Sequence, residues 1–299
     1  MSRRAVWKYR YLYVLGMPAI LFFVLFKYSP MYGVLIAFQD YNAFRGVWGS
    51  DWVGFEHFAR LASEKDFWLI FRNTVVLSLL NIVFLFPAPI VLALLMNELR
   101  AAVYKRVIQT VLYLPHFISW VIVMSLTYLL LSSEQGLVNK LIAARGGEAV
   151  SFLFEPSYFY PLIVGQGLWK EVGWSTIIYL AAIAGVDSSL YEAAKIDGAS
   201  RLTQVRHVTI PAIAPTIIIL FILSLGHMMD VNFEQMYLMQ NPTNTRLSEV
   251  FDTYVFKIGV QQGDFSFSTA VGLFKSVIGL ALVLAANRAA RQFGREGIW

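Results

Sequence analysis

The sequence has no cysteine and few charged residues. Only 14% of its 299 residues are Asp, Glu, Lys or Arg, against about 25% in soluble domains. Without cysteine, the chain has no disulfide, thiolate metal site or cysteine nucleophile. Hydrophobic residues make up 58%, and a soluble core of this size would not bury so much apolar surface. The composition therefore indicates a protein that lies largely in a lipid bilayer.

Sequence motifs of several enzyme classes are also absent. The chain has no Gly-x-x-x-x-Gly-Lys-Ser/Thr phosphate loop, so it is not expected to hydrolyse ATP. Its four histidines are scattered, with no His-Glu-x-x-His zinc pair, and there is no Gly-x-Ser-x-Gly nucleophile elbow. We therefore predict no catalytic, metal or cofactor site in this chain, and we interpret its net charge of +5 through membrane topology rather than nucleic-acid binding.

Six apolar stretches are each long enough to cross a bilayer, which takes about 20 residues. They predict six transmembrane helices at about 11–35, 70–95, 107–131, 159–184, 209–230 and 269–287. The first stretch is interpreted as an uncleaved span, because no small-residue cleavage site follows its basic start. The predicted fold is an all-α membrane protein, with no alternating pattern of a β-barrel.

The basic residues predict the orientation of these spans. Short segments on one side, 1–10, 96–106, 185–208 and 288–299, hold 13 of the 24 Lys and Arg residues: Arg3, Arg4, Lys8, Arg10, Arg100, Lys105, Arg106, Lys195, Arg201, Arg206, Arg288, Arg291 and Arg295. Since positive residues mark cytoplasmic loops, both termini are predicted to be cytoplasmic. The predicted organisation is a cytoplasmic segment 1–10, a six-span domain 11–287 and a cytoplasmic tail 288–299.

The cytoplasmic loop at about 186–211 has an unusual local pattern. A short helix is expected from Leu190 to Asp197, and Gly198 can adopt the positive φ that ends it. The helical pattern resumes over 199–209, and Pro211 is placed in the first turn of the next helix, where proline is best tolerated. The pattern predicts two helices separated by a turn on the inner surface of the membrane, the second leading into the fifth span.

This loop resembles the EAA loop of importer-type ABC transporter permeases. Glu192-Ala193-Ala194, Gly198 and Pro211 have the matching spacing, while Val208 and Ile210 replace the usual Ile and Leu. Almost the whole chain is similar to sugar-importer permeases, and two segments resemble the subgroup for polysaccharides and complex oligosaccharides: 114–120 and 169–174.

The resemblance implies a type I importer in which this chain is one half of the pore. Its expected partners are a second, different permease, an ABC ATPase dimer that binds ATP and Mg, an extracytoplasmic solute-binding protein and a sugar, in a bacterial cytoplasmic membrane. The residues implied in ATPase coupling are Glu192, Ala193, Ala194, Asp197, Gly198, Ala199 and Pro211. Two alternatives stay open: a non-sugar solute carried by the same architecture, and a channel or enzyme that needs no ATPase.

Polar residues inside the spans are candidates for the solute pathway, because they are costly in lipid. These candidates are Asn81, His116, Gln166, Lys170, Glu171 and Asp230. For Lys170 and Glu171 the alternative is pairing with each other or with a partner helix. For Asp230 it is a position at the outer end of the fifth span.

Overall fold

The computed structural model describes residues 7, 9–99, 101–292 and 297. Five of the basic residues used to predict orientation lie outside the described residues: Arg3, Arg4, Lys8, Arg100 and Arg295. By contact density the chain divides into two units, residues 1–64 with 255–274, and residues 65–254 with 275–299.

Among the described residues, four helices are each long and apolar enough to cross a membrane: Arg10–Phe38, Phe67–Asn97, Arg201–Gly226 and Phe265–Gln292. Two bent pairs bring the number to six when each pair is counted as one span: Ala102–Phe117 with Trp120–Leu131, and Pro156–Ala184 with Ser188–Ile196. The predicted class, an all-α membrane protein with six spans, therefore agrees with the structure.

The third span is broken, although the sequence predicted one continuous helix over 107–131. The regular helix Ala102–Tyr113 tightens into a 3₁₀ turn, Leu114–Phe117. Chain direction then changes by 102° before Trp120–Leu131. Pro115 removes one backbone donor near the break, and Ser119 caps the new helix by accepting a hydrogen bond from the Ile122 N–H at 3.4 Å. Both halves are apolar, so hydropathy alone gave no sign of the bend.

The fifth span also differs from its predicted bounds of 209–230. Its helix runs from Arg201 through a wide turn at Val205–Thr209 and ends at Gly226. Pro211 is in the first turn of the regular helix Ile210–Gly226, as predicted. Residues 227–229 form a turn, and the short helix Phe233–Met239 follows. Met228 and Met229 extend the apolar stretch past Gly226, so hydropathy placed the end four residues too late.

The smaller unit holds the first span and a short hairpin. None of the most apolar 18-residue window of Arg10–Phe38 is buried, as expected for a helix that meets lipid or another chain. Strand β1 (Gln39–Asp40) pairs antiparallel with strand β2 (Asp51–Trp52), and the helices Gly46–Gly49 and Glu56–Ser63 lie between and after them. Arg60 makes an ion pair with Asp264 at 2.7 Å.

The larger unit holds the second to fifth spans and most of the sixth. One apolar core includes Leu77, Met124, Phe159 and Met236. A second joins Ala93, Tyr179, Ile183 and Ile213. Further short helices of this unit are Leu137–Ala144 and Thr245–Ser248, and Phe251–Val255 begins in it. The third and fourth spans approach so closely that a Cβ on Gly173 would lie 2.0 Å from the Leu112 carbonyl oxygen.

Candidate functional site

The first helix of the loop that is predicted to be cytoplasmic is fixed by two local signals. It spans Ser188–Ile196, and the Asp187 side chain caps it by accepting from the Ser189 N–H at 2.9 Å. This hydrogen bond lowers the pKa of the Asp187 carboxyl. At the other end Gly198 has φ +76°, and the Ala199 N–H reaches back to the Ala194 carbonyl at 2.8 Å. The predicted positive φ at Gly198 is confirmed, and this end has the hydrogen bonds of a Schellman turn.

The second helix of the loop is joined to the first by side-chain contacts. Ser200 caps it, accepting from the Thr203 N–H at 3.3 Å. The Tyr191 and Thr209 hydroxyls lie 2.9 Å apart across the two helices. Arg201 donates to Glu98 at the end of the second span. Together these contacts fix the angle between the loop and the spans.

One face of this loop is open. Glu192 is exposed and has no hydrogen-bond or ion-pair partner among the described residues. Ile196 is 86% exposed and Leu202 is 78% exposed. Ala193 and Asp197 are also exposed, while Ala194 and Ala199 are half-buried. Glu192, Ile196 and Leu202 are therefore accessible on the loop, and we call these three side chains its free face.

At the break of the third span, charged and aromatic side chains meet the fourth span. The His116 Nδ1 lies 2.7 Å from the Glu171 carboxylate, and Lys170 donates to the His116 carbonyl at 2.6 Å. Lys170 is buried and also lies 3.5 Å from Glu171. The imidazole of His116 stacks on Trp174 with ring centroids 4.5 Å apart. Three of the predicted pathway residues are thus brought together beside a half-exposed aromatic ring.

Gln166 lies elsewhere and is buried. Its amide donates to Thr127 Oγ1 at 2.8 Å and accepts from Gln235 at 3.1 Å. Gln235 also donates to the Ile163 carbonyl at 2.9 Å. Both ends of the Gln166 amide are therefore engaged between the third and fourth spans and the helix Phe233–Met239.

Asn81 and Asp230 line one cavity between the second span and the end of the fifth. Asp230 pairs with Lys275 at 2.8 Å, and Lys275 also donates to Asp252. His227 lines the same cavity. The six predicted pathway residues thus fall into three places: the broken third span, a buried amide network and this cavity.

Sequence reasoning missed three residues at these places. Lys275 is a buried cation in the sixth span, and its charge inside an apolar run was the signal that could have found it. Trp174 belongs to the segment 169–174 that resembles the polysaccharide subgroup, but only the fold places its ring on His116. His227 is one of four scattered histidines, and only the fold places it in the same cavity as Asn81. Among the described residues, no three His, Cys, Asp or Glu side chains are grouped closely enough to hold a metal ion.

Comparison with known proteins settles the family. Residues 85–296 match the family described as binding-protein-dependent transport system inner membrane component. The chain belongs to this family. It is therefore a permease subunit of a membrane transporter.

Similarity to individual permeases covers nearly the whole chain. The polygalacturonan/rhamnogalacturonan transport system permease protein YteP of Bacillus subtilis (strain 168) is 53% identical over 97% of this chain and 90% of its own length. Protein LplB of the same organism is 51% identical over 97% of this chain and 91% of its own length. A chain in the crystal structure of a bacterial alginate ABC transporter, in complex with an alginate pentasaccharide-bound periplasmic protein, matches with a TM-score of 0.88 and 38% identity over 99% of both chains. The predicted family, an ABC importer permease of the sugar type, is confirmed.

Proposed function

We infer that this chain forms half of the pore of an ABC importer for oligosaccharides released from a polysaccharide. The observation that carries the inference is the similarity along nearly the whole chain to a polygalacturonan/rhamnogalacturonan permease at 53% identity. The alginate transporter match supports the same substrate class, because that transporter also takes pieces of a long carbohydrate chain.

Transport is driven through the cytoplasmic loop. The free face formed by Glu192, Ile196 and Leu202 docks on an ATPase subunit, with Glu192 meeting a basic residue. Because capping, the Tyr191–Thr209 hydrogen bond and the Arg201–Glu98 pair fix the loop to the spans, movement of the ATPase is passed to the fifth span. ATP and Mg bind the ATPase, and this chain binds neither.

The other partners follow from the same architecture. A second, different permease supplies the facing half of the pore and covers apolar surface that is exposed on this chain. An extracytoplasmic binding protein delivers the oligosaccharide. Both termini lie in the cytoplasm of a bacterial cell, since the described basic residues Arg10, Lys105, Arg106, Lys195 and Arg206 lie at the ends of spans or in the cytoplasmic loop.

The cluster at the broken third span lies along the sugar pathway. Trp174 is 42% exposed and Phe117 is 71% exposed, and aromatic faces of this kind stack on the apolar faces of sugar rings. His116 and Glu171 are partly exposed beside them and supply hydrogen-bonding groups. Lys170 holds the cluster together from the buried side, where its ammonium lies 5.6 Å from the Trp120 ring centroid.

A pull-down followed by transport measurements tests this function. The chain is purified from gently solubilised membranes with everything bound to it, and the complex is placed in liposomes. We expect an ATPase, a second permease and a binding protein, with ATP-dependent uptake of oligogalacturonate or rhamnogalacturonan fragments. The chain recovered alone from several detergents would contradict the importer, and uptake of a non-sugar solute only would contradict the substrate.

A charge reversal in the loop then tests coupling. Glu192→Lys is expected to lower uptake by about tenfold or more, with ATP hydrolysis no longer stimulated by the loaded binding protein. Glu148→Lys is the matched control, because Glu148 is an exposed carboxylate of the predicted outer loop with no described partner. Equal uptake by both variants would show that the free face of the loop is not the docking surface.

A further inference from the structure

A cavity of about 290 Å³ opens between the second span and the end of the fifth span. Its polar lining comes from Ser78, Asn81, Ser224, His227 and Asp230. Its apolar lining includes Ile82, Leu85, Phe86 and Met228. A mostly apolar cavity with a few converging polar groups is the usual form of a small-molecule site.

Three polar side chains of this cavity each have at least one polar atom without a partner in the described part of the chain. The Asn81 amide makes no side-chain hydrogen bond. His227 uses Nδ1 on the Leu223 carbonyl at 3.0 Å, which leaves Nε2 free. Asp230 uses Oδ1 on Lys275 at 2.8 Å, which leaves Oδ2 free. The two serines differ, because Ser78 donates to the Met228 carbonyl and Ser224 to the Phe221 carbonyl.

The cavity lies at a depth in the membrane where polar groups without a partner are costly. Asn81 lies at the middle of the second span, Phe67–Asn97, so it lies near the centre of the bilayer. Ser78, one turn away, contacts the turn that follows Gly226. The fifth helix therefore ends deep in the membrane, where non-helical backbone is tolerated only inside protein or beside a water-filled cavity. Free polar groups at this depth indicate a face that meets a water-filled pathway.

The backbone around Asn81 is specialised as well. Residues Asn81–Leu85 form a wide turn in which the Phe86 N–H donates to the Asn81 carbonyl at 3.0 Å. Wide turns of this kind inside α-helices occur frequently at functional sites. The wide turn therefore begins at Asn81, the residue whose side-chain amide has no partner among the described residues.

The charged side chains at the cavity determine which kind of ligand it favours. Lys275 is shared by Asp230 and Asp252, so one cation faces two acidic side chains. Neither Lys nor Arg lines the cavity among the described residues. A free carboxylate oxygen accepts from a hydroxyl, but it repels a second carboxylate. An amide and an imidazole add one donor or acceptor each.

We propose that this cavity is a saccharide subsite that binds the hydroxyl groups of an uncharged sugar unit and disfavours a uronate unit. The proposal rests on the proposed function and adds to it a position in the pathway and a preference. Asp230 Oδ2 accepts from a hydroxyl, Asn81 bonds a neighbouring one, and His227 Nε2 bonds a third. The cluster at His116 and Trp174 is a separate contact, formed by the third and fourth spans.

The natural absence of cysteine allows a direct test. Ser224→Cys places one thiol in the cavity without removing a proposed binding group, because the Ser224 hydroxyl is engaged by its own helix. In the intact complex, labelling by a water-soluble methanethiosulfonate is measured with galactotriose or with trigalacturonate, which differ only at C6. We expect galactotriose to protect the thiol at about a tenfold lower concentration than trigalacturonate.

Second-site variants and a control complete the experiment. Adding Asn81→Ala or Asp230→Ala to Ser224→Cys should raise the half-protecting concentration by about tenfold. The control variant Ser63→Cys has its thiol at an exposed position outside the cavity. It should be labelled equally with and without sugar. No labelling at residue 224, labelling unaffected by both sugars, or stronger protection by trigalacturonate would each overturn the proposal. Oligosaccharide uptake is measured with the same complex. If uptake persists while one of these results is found, the subsite proposal is wrong and the importer function stands.

Discussion

The loop predicted to be cytoplasmic and the interrupted end of the fifth span are two irregular regions held by different kinds of contact. In the loop, the helix ends are formed by short-range contacts: Asp187 and Ser200 cap their own helices, and Gly198 turns the chain by its own backbone freedom. The longer-range contacts of the loop, Tyr191–Thr209 and Arg201–Glu98, join helices that are already formed. Beyond Gly226, the bonds are long-range, since Met228 accepts from Ser78 and Val231 donates to Asp252.

Exposure separates the same two regions. Glu192, Ile196 and Leu202 are exposed, whereas Met229, Val231 and Met236 are buried within the larger unit. A loop with exposed residues can exchange partners without disturbing the fold. The buried side chains of the interruption are part of the core, so a change in them is expected to act on stability first and on transport second.

The largest effect is expected from removing the Lys275 cation. Lys275→Met leaves Asp252 buried and without its ion pair, which should lower the free energy of unfolding by about 3 kcal/mol. Thermal melting of the detergent-purified complex measures the loss. The double variant Lys275→Met/Asp252→Asn should recover most of it, because no buried charge is then left unpaired. A single variant as stable as the parent would show that Lys275 does not hold this region.

A methyl group at Gly173 should have the next largest effect. A Cβ there would meet the Leu112 backbone, and overpacking of a tight contact costs about 1–3 kcal/mol. Gly165→Ala is the matched control on the same helix, because nothing lies within 4 Å of its added Cβ. We expect a lower melting temperature for Gly173→Ala only. Equal melting of the two variants would show that the third and fourth spans separate easily at this point.

The difference between short-range and long-range contacts also explains what the sequence could predict. Gly198 and Pro211 act through their own backbone chemistry, so their spacing predicted the turn and the first turn of the next helix before any contact was known. Six apolar stretches likewise predicted six spans from length alone.

Hydropathy, by contrast, does not show where a helix changes direction or where in the membrane it ends. It missed the 102° bend after Phe117 and the early end at Gly226, because the residues on both sides of each break are apolar. His116 and Glu171 are 55 positions apart, and His227 meets Asn81 only across two helices. No local pattern carries such a pairing, so these sites required the structure.

In the loop, Gly198→Val should uncouple transport while the protein stays folded. A β-branched residue at φ +76° is strained by about 1–2 kcal/mol, and relief of that strain would turn the first helix away from its docking position. Gly198→Asn is the control, because Asn tolerates this conformation. We expect sugar uptake to fall for Gly198→Val and to be largely kept for Gly198→Asn. The two variants should have similar melting temperatures. If Gly198→Val lowered the melting temperature as much as Gly173→Ala does, the loop would affect stability as strongly as the core, and the difference drawn between the two regions would be wrong.

The smallest effect is expected at the ion pair between Arg201 and Glu98. Their side chains are 60% and 37% exposed, and an exposed pair contributes about 0.2–1 kcal/mol. Arg201→Gln should therefore barely change melting, yet it frees the loop from the end of the second span. If the pair passes movement to the spans, uptake per ATP hydrolysed should fall at low salt and differ less from the parent at high salt, where the parent's own pair is screened. If uptake per ATP is unchanged at every salt concentration, the Tyr191–Thr209 hydrogen bond and the continuous helix from Arg201 are sufficient for coupling.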